Sequence, residues 1–396
     1  MGEDGPVPAA ACAAVPCLSV RALASGKVIV SDEAHMERAL GLAERGRGIV
    51  SPNPAVGAVI VAGDRIVGEG WHEGPGTPHA EINALRSAGD LARGATLYTT
   101  LEPCSHVGRT PPCADALIEA GIVRVVSALR DPNPVVDGSG YARLEAAGVR
   151  VDTGLLQREA ERQNEAFLTH TRTGLPFVVW KMAASLDGKV ASRDGTSRWI
   201  TGEPARRDVH RLRAWSDAIL VGAGTALVDD PSLTVRDPGY RGRPPLRVLV
   251  DANGRVPATG DLFDDAAPTL VATSDSAPPE RRDEWAAAGA EVLGYASQAR
   301  SGYVPVGELL RDLGKRDVQG VLLEGGPTLA WSAVAEGAID TIVAYLAPKL
   351  IGGADAPGML GGQGFAPIAN ALELDIRSFD LVGDDLKVVA DVHRDR

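Results

Sequence analysis

The sequence predicts an α/β protein built as two layered domains in tandem. Three observations carry that prediction. At 396 residues the chain is too long for one ordinary hydrophobic core. From Ser31 onward, short apolar runs rich in β-branched residues alternate with helical patterns, as in layered α/β folds. Near the middle, Thr173-Gly174-Leu175-Pro176 breaks the alternation with a linker signal. The expected units are an N-terminal extension over 1–30, a first domain over 31–173 and a second over 174–396.

The elements follow in order. Residues 1–30 are rich in Ala, Pro, Gly and Val, lack periodicity and read as a disordered extension. Glu3 and Asp4 come first and Pro8 and Pro16 interrupt, so a signal peptide is not expected. Ser31-Asp32-Glu33 is a helix start, followed by the apolar face of Met36, Leu40, Leu42 and Ala43. Ala55 to Val61 reads as a buried strand and Arg65 to Trp71 as its hairpin partner. His79 to Leu91 is helical, Thr96 to Thr100 a strand, Ala114 to Ala120 a helix. Val123 to Ala128 and Gly148 to Val151 are strands, and Glu159 to His170 is a polar helix.

Composition narrows the function. The chain is 44% hydrophobic and 23% charged, with a net charge of −12. That balance opposes nucleic acid as a partner, and no apolar stretch reaches membrane-spanning length. Four cysteines, Cys12, Cys17, Cys104 and Cys113, do not make a disulfide framework. If Cys104 and Cys113 act as thiolates, a reducing cytoplasm suits them.

The chemistry concentrates between His79 and Cys113. His79-Ala80-Glu81 is followed by Pro103-Cys104, then eight residues, then Cys113. One imidazole and two thiolates hold zinc and leave a fourth position for water. Glu81 can then carry a proton from water to a departing amine, the logic of zinc-dependent nucleobase deaminases. His79 and Glu81 are two apart and share no helix face, so they converge only if His79 lies in an irregular first turn. A structural zinc site would need a fourth protein ligand; the nearest rival, His106, reads better as a loop residue.

The eight-residue spacing, with Ser51-Pro52-Asn53-Pro54-Ala55-Val56-Gly57 and Asp131-Pro132-Asn133-Pro134, resembles the pyrimidine deaminase of riboflavin biosynthesis. The resemblance implies a cytidine-deaminase-like three-layer domain with Glu81 catalytic and His79, Cys104 and Cys113 on zinc. It also implies that Asn53, His72, Arg109, Thr110, Asp131 and Asn133 hold the pyrimidine or its ribose phosphate. Asn and Asp before Pro are equally turn residues, and the two roles are compatible. Ser139 departs from the family pattern, which favours a basic residue there.

In the second half, strands are expected at Phe177–Met182, Ala218–Val221, Leu246–Asp251, Thr269–Ala272, Val318–Glu324, Ile342–Leu346 and Leu386–His393. A helix is expected over Glu203–Ala214. Lys181 is a charge in an apolar strand, so it is either paired at a site or a strand end turned to water. Gly222-Ala223-Gly224-Thr225 tempts a dinucleotide reading. Leu227 fills the third glycine position, and the following segment offers no long helix for a phosphate to cap. Glu324-Gly325-Gly326-Pro327-Thr328 is a strand end, a glycine turn and a helix start, an anion-binding arrangement.

These segments resemble the reductase half of the same riboflavin enzyme, which implies a dihydrofolate-reductase-like α/β fold. NADPH is then expected against Ala183, Trp199, Thr225, Asp229 and the run Gly326, Pro327, Thr328, Leu329, Ala330, Trp331, Ser332. Substrate is expected against Lys181, Ser197, Thr201, Arg213, Leu233, Arg236 and Glu324. The family also implies a homo-oligomer. The expected function is zinc-dependent deamination of a phosphorylated ribosylaminopyrimidine, then NADPH-dependent reduction of its ribosyl chain. A nucleic-acid-editing deaminase fused to a reductase-like module is the rival. It requires a basic, aromatic-lined channel, which 4% aromatic content and the acidic balance oppose.

Overall fold

A computed structural model describes residues 31–105, 112–237, 239–296 and 303–392. Residues 1–30, and with them Cys12 and Cys17, fall outside that set, as do His106, Arg109, Thr110 and His393.

The first half is a five-stranded sheet between helices. Ser31 caps α1 (Asp32–Ala43), its hydroxyl accepting from the Ala34 N–H at 3.3 Å. β1 (Gly57–Ala62) and β2 (Arg65–Trp71) form the expected antiparallel hairpin. Then come α2 (Ala80–Ala88), β3 (Thr96–Thr99), α3 (Cys113–Glu119), β4 (Arg124–Ser127), α4 (Ser139–Ala146) and β5 (Arg150–Thr153). The strand order is β2-β1-β3-β4-β5. β1 is antiparallel to both neighbours, and β3, β4 and β5 are parallel. A Cβ on Gly57 would strike the Ala39 carbonyl of α1, and one on Gly68 or Gly70 the Ala84 or Ala80 carbonyl of α2. Bare backbone at these strand positions lets the helices lie close, which sets where α2 begins.

The expected helix over 159–170 is two helices, α5 (Gln157–Gln163) and α6 (Glu165–Thr173). Asn164 separates them. Its Oδ1 accepts from the Ala55 N–H at 2.8 Å and its Nδ2 donates to the Ala55 carbonyl at 3.0 Å. A buried clamp on a distant loop overrides local helix periodicity here. α6 stops at Gly174, whose φ of 71° only glycine takes readily.

The second half runs β6 (Phe177–Ser185), α7 (Glu203–Ala214), β7 (Ala218–Gly222), α8 (Ala223–Asp229), β8 (Leu246–Val250) and β9 (Thr269–Ser274). It continues with α9 (Pro279–Ala287), β10 (Glu291–Tyr295), α10 (Val306–Gly314), β11 (Gly320–Leu323) and α11 (Pro327–Ala335). β12 (Thr341–Ala347), β13 (Leu374–Val382) and β14 (Asp385–Val392) end it. The nine strands are ordered β10-β9-β8-β7-β11-β6-β12-β14-β13. All pairs from β10 to β12 are parallel; β14 is antiparallel to β12 and β13 to β14. One face packs Trp180, Leu220 and Val321 against α10 and α11. The other packs Ile219 and Leu322 with Trp285 of α9, and Val343 and Tyr345 with α7.

The Gly222-x-Gly224 turn does open a helix, α8, though one of only seven residues. Sequence reading leaves α4, α9, β10, α10 and β13 unassigned.

Candidate active sites

The deaminase-type site gathers at two helix starts. His79 is the N-cap of α2, extended at φ −69° and ψ 163°, and Glu81 lies in the first turn. That extended residue lets two side chains, two apart in sequence, turn to one point. Cys113 opens α3, and Cys104 sits in the loop after β3. The His79 nitrogen and the two sulfurs lie within 4.8 Å of one another. His79 Nδ1 is 3.2 Å from Cys113 Sγ and 3.6 Å from Cys104 Sγ. A tetrahedral zinc with its usual bond lengths places such donors roughly 3.5 Å apart, so the set fits the metal.

Glu81 is buried beside this set, and its Oε2 has no hydrogen-bond partner among the described residues. Burial pushes its pKa up to about 7, with the Cys104 charge adding to the effect. A carboxyl balanced near neutrality can both take and give a proton. The Cys104 thiol is pulled down by hydrogen bonds from Cys113 and His79.

The expected substrate residues surround this point unevenly. Asn53 Nδ2 lies 2.9 Å from His72 Nε2, and His72 Nδ1 faces the Pro78 carbonyl at 3.3 Å. A carbonyl only accepts, so Nδ1 carries the proton and Asn53 donates to Nε2. The His72 ring meets the His79 ring edge-on, centroids 5.6 Å apart. Asp131 Oδ1 accepts from the Asn133 N–H at 2.9 Å, and Asn133 Oδ1 from the Val135 N–H at 3.1 Å, so both build the turn. Ser139 opens α4 with its hydroxyl 2.5 Å from that of Ser105. Arg109 and Thr110 lie outside the described residues.

Sequence reasoning missed Glu102. Its buried carboxylate accepts from the backbone N–H groups of Asp131, Gly138, Gly140 and Tyr141, at 3.2, 3.0, 2.9 and 3.4 Å. It fastens the Cys104 loop to the Asp131–Ser139 loop. The available signal was an acid at a strand end directly before Pro103-Cys104.

In the second half, Lys181, Arg213 and Glu324 converge. Arg213 Nε and Nη2 donate to the two Glu324 oxygens at 2.6 and 3.0 Å, and Lys181 Nζ lies 3.9 Å from Glu324 Oε2. Lys181 is therefore a paired charge, not a strand end in water. Burial lowers the Lys181 pKa, with Glu324 opposing. Burial opposes the Glu324 charge, yet Arg213 outweighs it and holds the carboxyl down to about 2.

Arg236 is exposed and donates to Ser232 Oγ at 2.6 Å. The Asp229 carbonyl accepts from Arg198 at 2.6 Å, beside the exposed Trp199 ring. Thr225 Oγ1 lies beside the bare Gly326, and Leu329 packs on Gly222 and Gly325, so the two glycine turns face each other. Gly326 caps α11, which runs through Pro327, Thr328, Trp331 and Ser332. Ala183 lies on β6, Thr201 is buried and Ser197 half-buried. Leu233, Leu329 and Ala330 have their side chains in the core, which leaves mainly backbone for any ligand.

Fold and sites together define a zinc deaminase joined to a nicotinamide-type reductase. Residues 29–129 match the cytidine and deoxycytidylate deaminase zinc-binding region, and residues 176–388 the RibD C-terminal domain. The chain is 44% identical to the riboflavin biosynthesis protein RibD of Escherichia coli K12, over 90% of this chain and 98% of that one. It is 43% identical to RibD of Bacillus amyloliquefaciens, over 92% of this chain and all of that one. The structure superimposes on Acinetobacter baumannii RibD, form 1, with a TM-score of 0.82 at 39% identity, covering 92% and 99% of the two chains. A Thermotoga maritima deaminase/reductase gives 0.80 at 36% identity, covering 91% and 98%. The chain belongs to the RibD family of bifunctional riboflavin-biosynthesis deaminase/reductases.

Proposed function

We propose that the two sites act in sequence on one phosphorylated pyrimidine. The chain is a hydrolytic deaminase and a reductase of riboflavin biosynthesis, with zinc and NADPH as cofactors. The first substrate is 2,5-diamino-6-ribosylamino-4(3H)-pyrimidinone 5′-phosphate, and the final product is 5-amino-6-ribitylamino-uracil 5′-phosphate. The single observation that carries the deaminase is the buried Glu81 carboxylate, its Oε2 without a partner among the described residues, beside His79, Cys104 and Cys113.

His79, Cys104 and Cys113 hold zinc, a Lewis acid that activates water near neutral pH. Glu81 takes the proton from the attacking water and returns one to the amine, so that ammonia leaves. Asn53 and His72 orient the ring, and Asp131 and Asn133 help to hold the pyrimidine or its ribose phosphate by family resemblance. Arg109 and Thr110 complete the grip by family resemblance. In the second half Ala183, Trp199, Thr225, Asp229 and the Gly326–Ser332 segment would hold NADPH, which when bound would supply the hydride for the ribosyl carbon of the substrate. Arg213 and Arg236 meet the ribose phosphate, Glu324 and Lys181 the polar groups of substrate, with Ser197, Thr201 and Leu233 around them. The Gly174 stop between α6 and β6 supports a domain boundary near Thr173.

Among the described residues no helix is long and apolar enough to cross a membrane. Thiolate ligands favour the cytoplasm, and the net charge of −12 disfavours nucleic acid. We also infer a homo-oligomer. The register of β13, β14 and β12 puts Leu374, Ile376, Phe379, Leu381, Leu386, Val388, Ala390, Val392, Ala344 and Leu346 on one sheet face, without a charge. Ile376, Phe379 and Leu381 are 67%, 72% and 75% exposed. With Leu374 they leave on the order of 500 Å² of apolar surface in water, enough to mark an interface. The half-exposed neighbours bring it towards the roughly 800 Å² per partner of a standard interface. An uncharged strip is self-complementary under a two-fold, so its occupant is a second copy.

The test is mass spectrometry of the diaminopyrimidine ribosyl phosphate after incubation with zinc-loaded protein. Deaminated product is expected without NADPH, and ribityl product only with it. Deamination without reduction would overturn the second half of the reading.

A further inference from the structure

We propose that Gln319, a residue of the reductase half, is a positioning residue of the deaminase site. The Asn53 loop leaves α1, runs through residues 44–55 and rejoins the sheet at β1. Within its own half Arg45 stacks over the Trp71 ring at 4.7 Å and Asn53 bonds His72. The second half holds it as well. Gln319 Nε2 donates to the Pro52 carbonyl at 2.6 Å, one residue before Asn53. Arg47 stacks over the Trp215 ring at 3.8 Å. A Cβ on Gly48 would strike the Ala214 carbonyl, so the loop backbone lies directly on the end of α7. Asn164 clamps Ala55 from the junction of α5 and α6.

Gln319 is built to hold a position. It is 6% exposed. Its N–H donates to Asp217 Oδ2 at 2.9 Å and its carbonyl accepts from Phe177 at 2.7 Å, so both backbone groups are pinned. The strand it opens, β11, lies between β7 and β6. From this anchor the contacts run to His79, one of the proposed zinc ligands. Pro52 is joined to Asn53, Asn53 donates to His72, and the His72 ring abuts His79. A buried amide donor on a carbonyl fixes where that peptide sits, and ångström-scale misplacement of a substrate-holding group costs affinity steeply.

The deaminase therefore depends on the docked reductase half, while the reductase does not depend on this bond. The inference rests on the reading that Asn53 contacts the pyrimidine. The experiment separates the two. Steady-state deamination and reduction are measured on full-length, zinc-loaded Gln319→Met, Gln319→Glu, Asn53→Ala and the double variant Asn53→Ala/Gln319→Met. Zinc content and thermal midpoint are measured on each. Methionine keeps the length of Gln319 without a donor, and glutamate removes the donor and adds repulsion.

The expected result is a deaminase KM raised about ten-fold in Gln319→Met, with kcat nearly kept. Gln319→Glu is at least as impaired. Zinc content and the kinetics of reduction stay at wild-type values. The double variant matches Asn53→Ala alone, because the bond acts only through the Asn53 loop. A raised KM in Asn53→Ala with none in Gln319→Met would overturn the coupling and leave the Asn53 reading intact. An unchanged KM in Asn53→Ala would overturn that reading and the proposal with it. Equal losses of thermal midpoint, zinc and both activities would make Gln319 a stability contact and overturn the proposal.

Discussion

Arg213 and Glu324 meet as a two-bond pair, 2.6 and 3.0 Å, inside the reductase half. Burial opposes the Glu324 charge, and Arg213 reverses the balance, leaving the folded pKa near 2 against an ordinary 4.5. A depressed carboxyl stabilises the fold above its unfolded value and loses that contribution as pH falls through the folded one. The window runs from about pH 4.5 down to 2, and the contribution is about 3 kcal/mol. Glu324→Gln strands the Arg213 charge and lowers the thermal midpoint at pH 7 by several degrees. The difference from wild type shrinks from pH 5 to pH 3. Calorimetry across that range checks it; a difference independent of pH would mean that the Glu324 charge is not what stabilises.

In the proposed mechanism Glu81 carries the proton without being a zinc ligand. Glu81→Gln is expected to bind zinc in full and reduce deaminase kcat by about a thousand-fold, within the range for a lost general acid–base. Reduction of the deaminated substrate is unchanged. Metal analysis beside both kinetic assays checks this. Cys113→Ala, by contrast, loses zinc and deamination together.

Glu102 satisfies four backbone N–H groups with two oxygens. Glutamine turns an amide donor towards one pair of these donors. Glu102→Gln is expected to cost about 2 kcal/mol of stability and to raise the deaminase KM more than it lowers kcat. Hydrogen exchange of the Gly138, Gly140 and Tyr141 amides locates the damage; amides protected as in wild type would remove the carboxylate from that loop's support.

The exposed face of β13 predicts a defined change of mass. Phe379→Asp with Leu381→Asp puts two charges into a strip that otherwise has none. Light scattering should show the wild type as an oligomer and the variant as a monomer with normal zinc content and deaminase activity. An oligomeric variant would place the contact elsewhere.

The chemistry was legible because metal and proton transfer demand particular side chains at restricted spacing: His79, Glu81, Cys104 and Cys113 stand out by residue type and order. The alternation of strands and helices was legible in the apolar runs, such as 57–62 and 320–323. What was not legible depends on tertiary partners. Nothing local marks Asn164 as a helix break, since the reason is Ala55, far away in sequence. Gln319 reads as an ordinary polar residue at a strand entrance, and Glu102 as a surface acid. β13 escaped notice because Asp375, Arg377 and Asp380 dilute its apolar residues, and the extra residue between Ile376 and Ser378 breaks strict alternation.

Gly68 and Gly70 carry α2 on bare backbone, so they set the height of the helix that His79 caps and whose first turn bears Glu81. In a saturation library of β2, then, those two codons should tolerate almost nothing but glycine, although neither is among the residues assigned to zinc or substrate. Even alanine would lift the helix and separate the first ligand from Cys104 and Cys113. For anyone redesigning the specificity of this enzyme, they are positions to leave alone while the loops are varied freely.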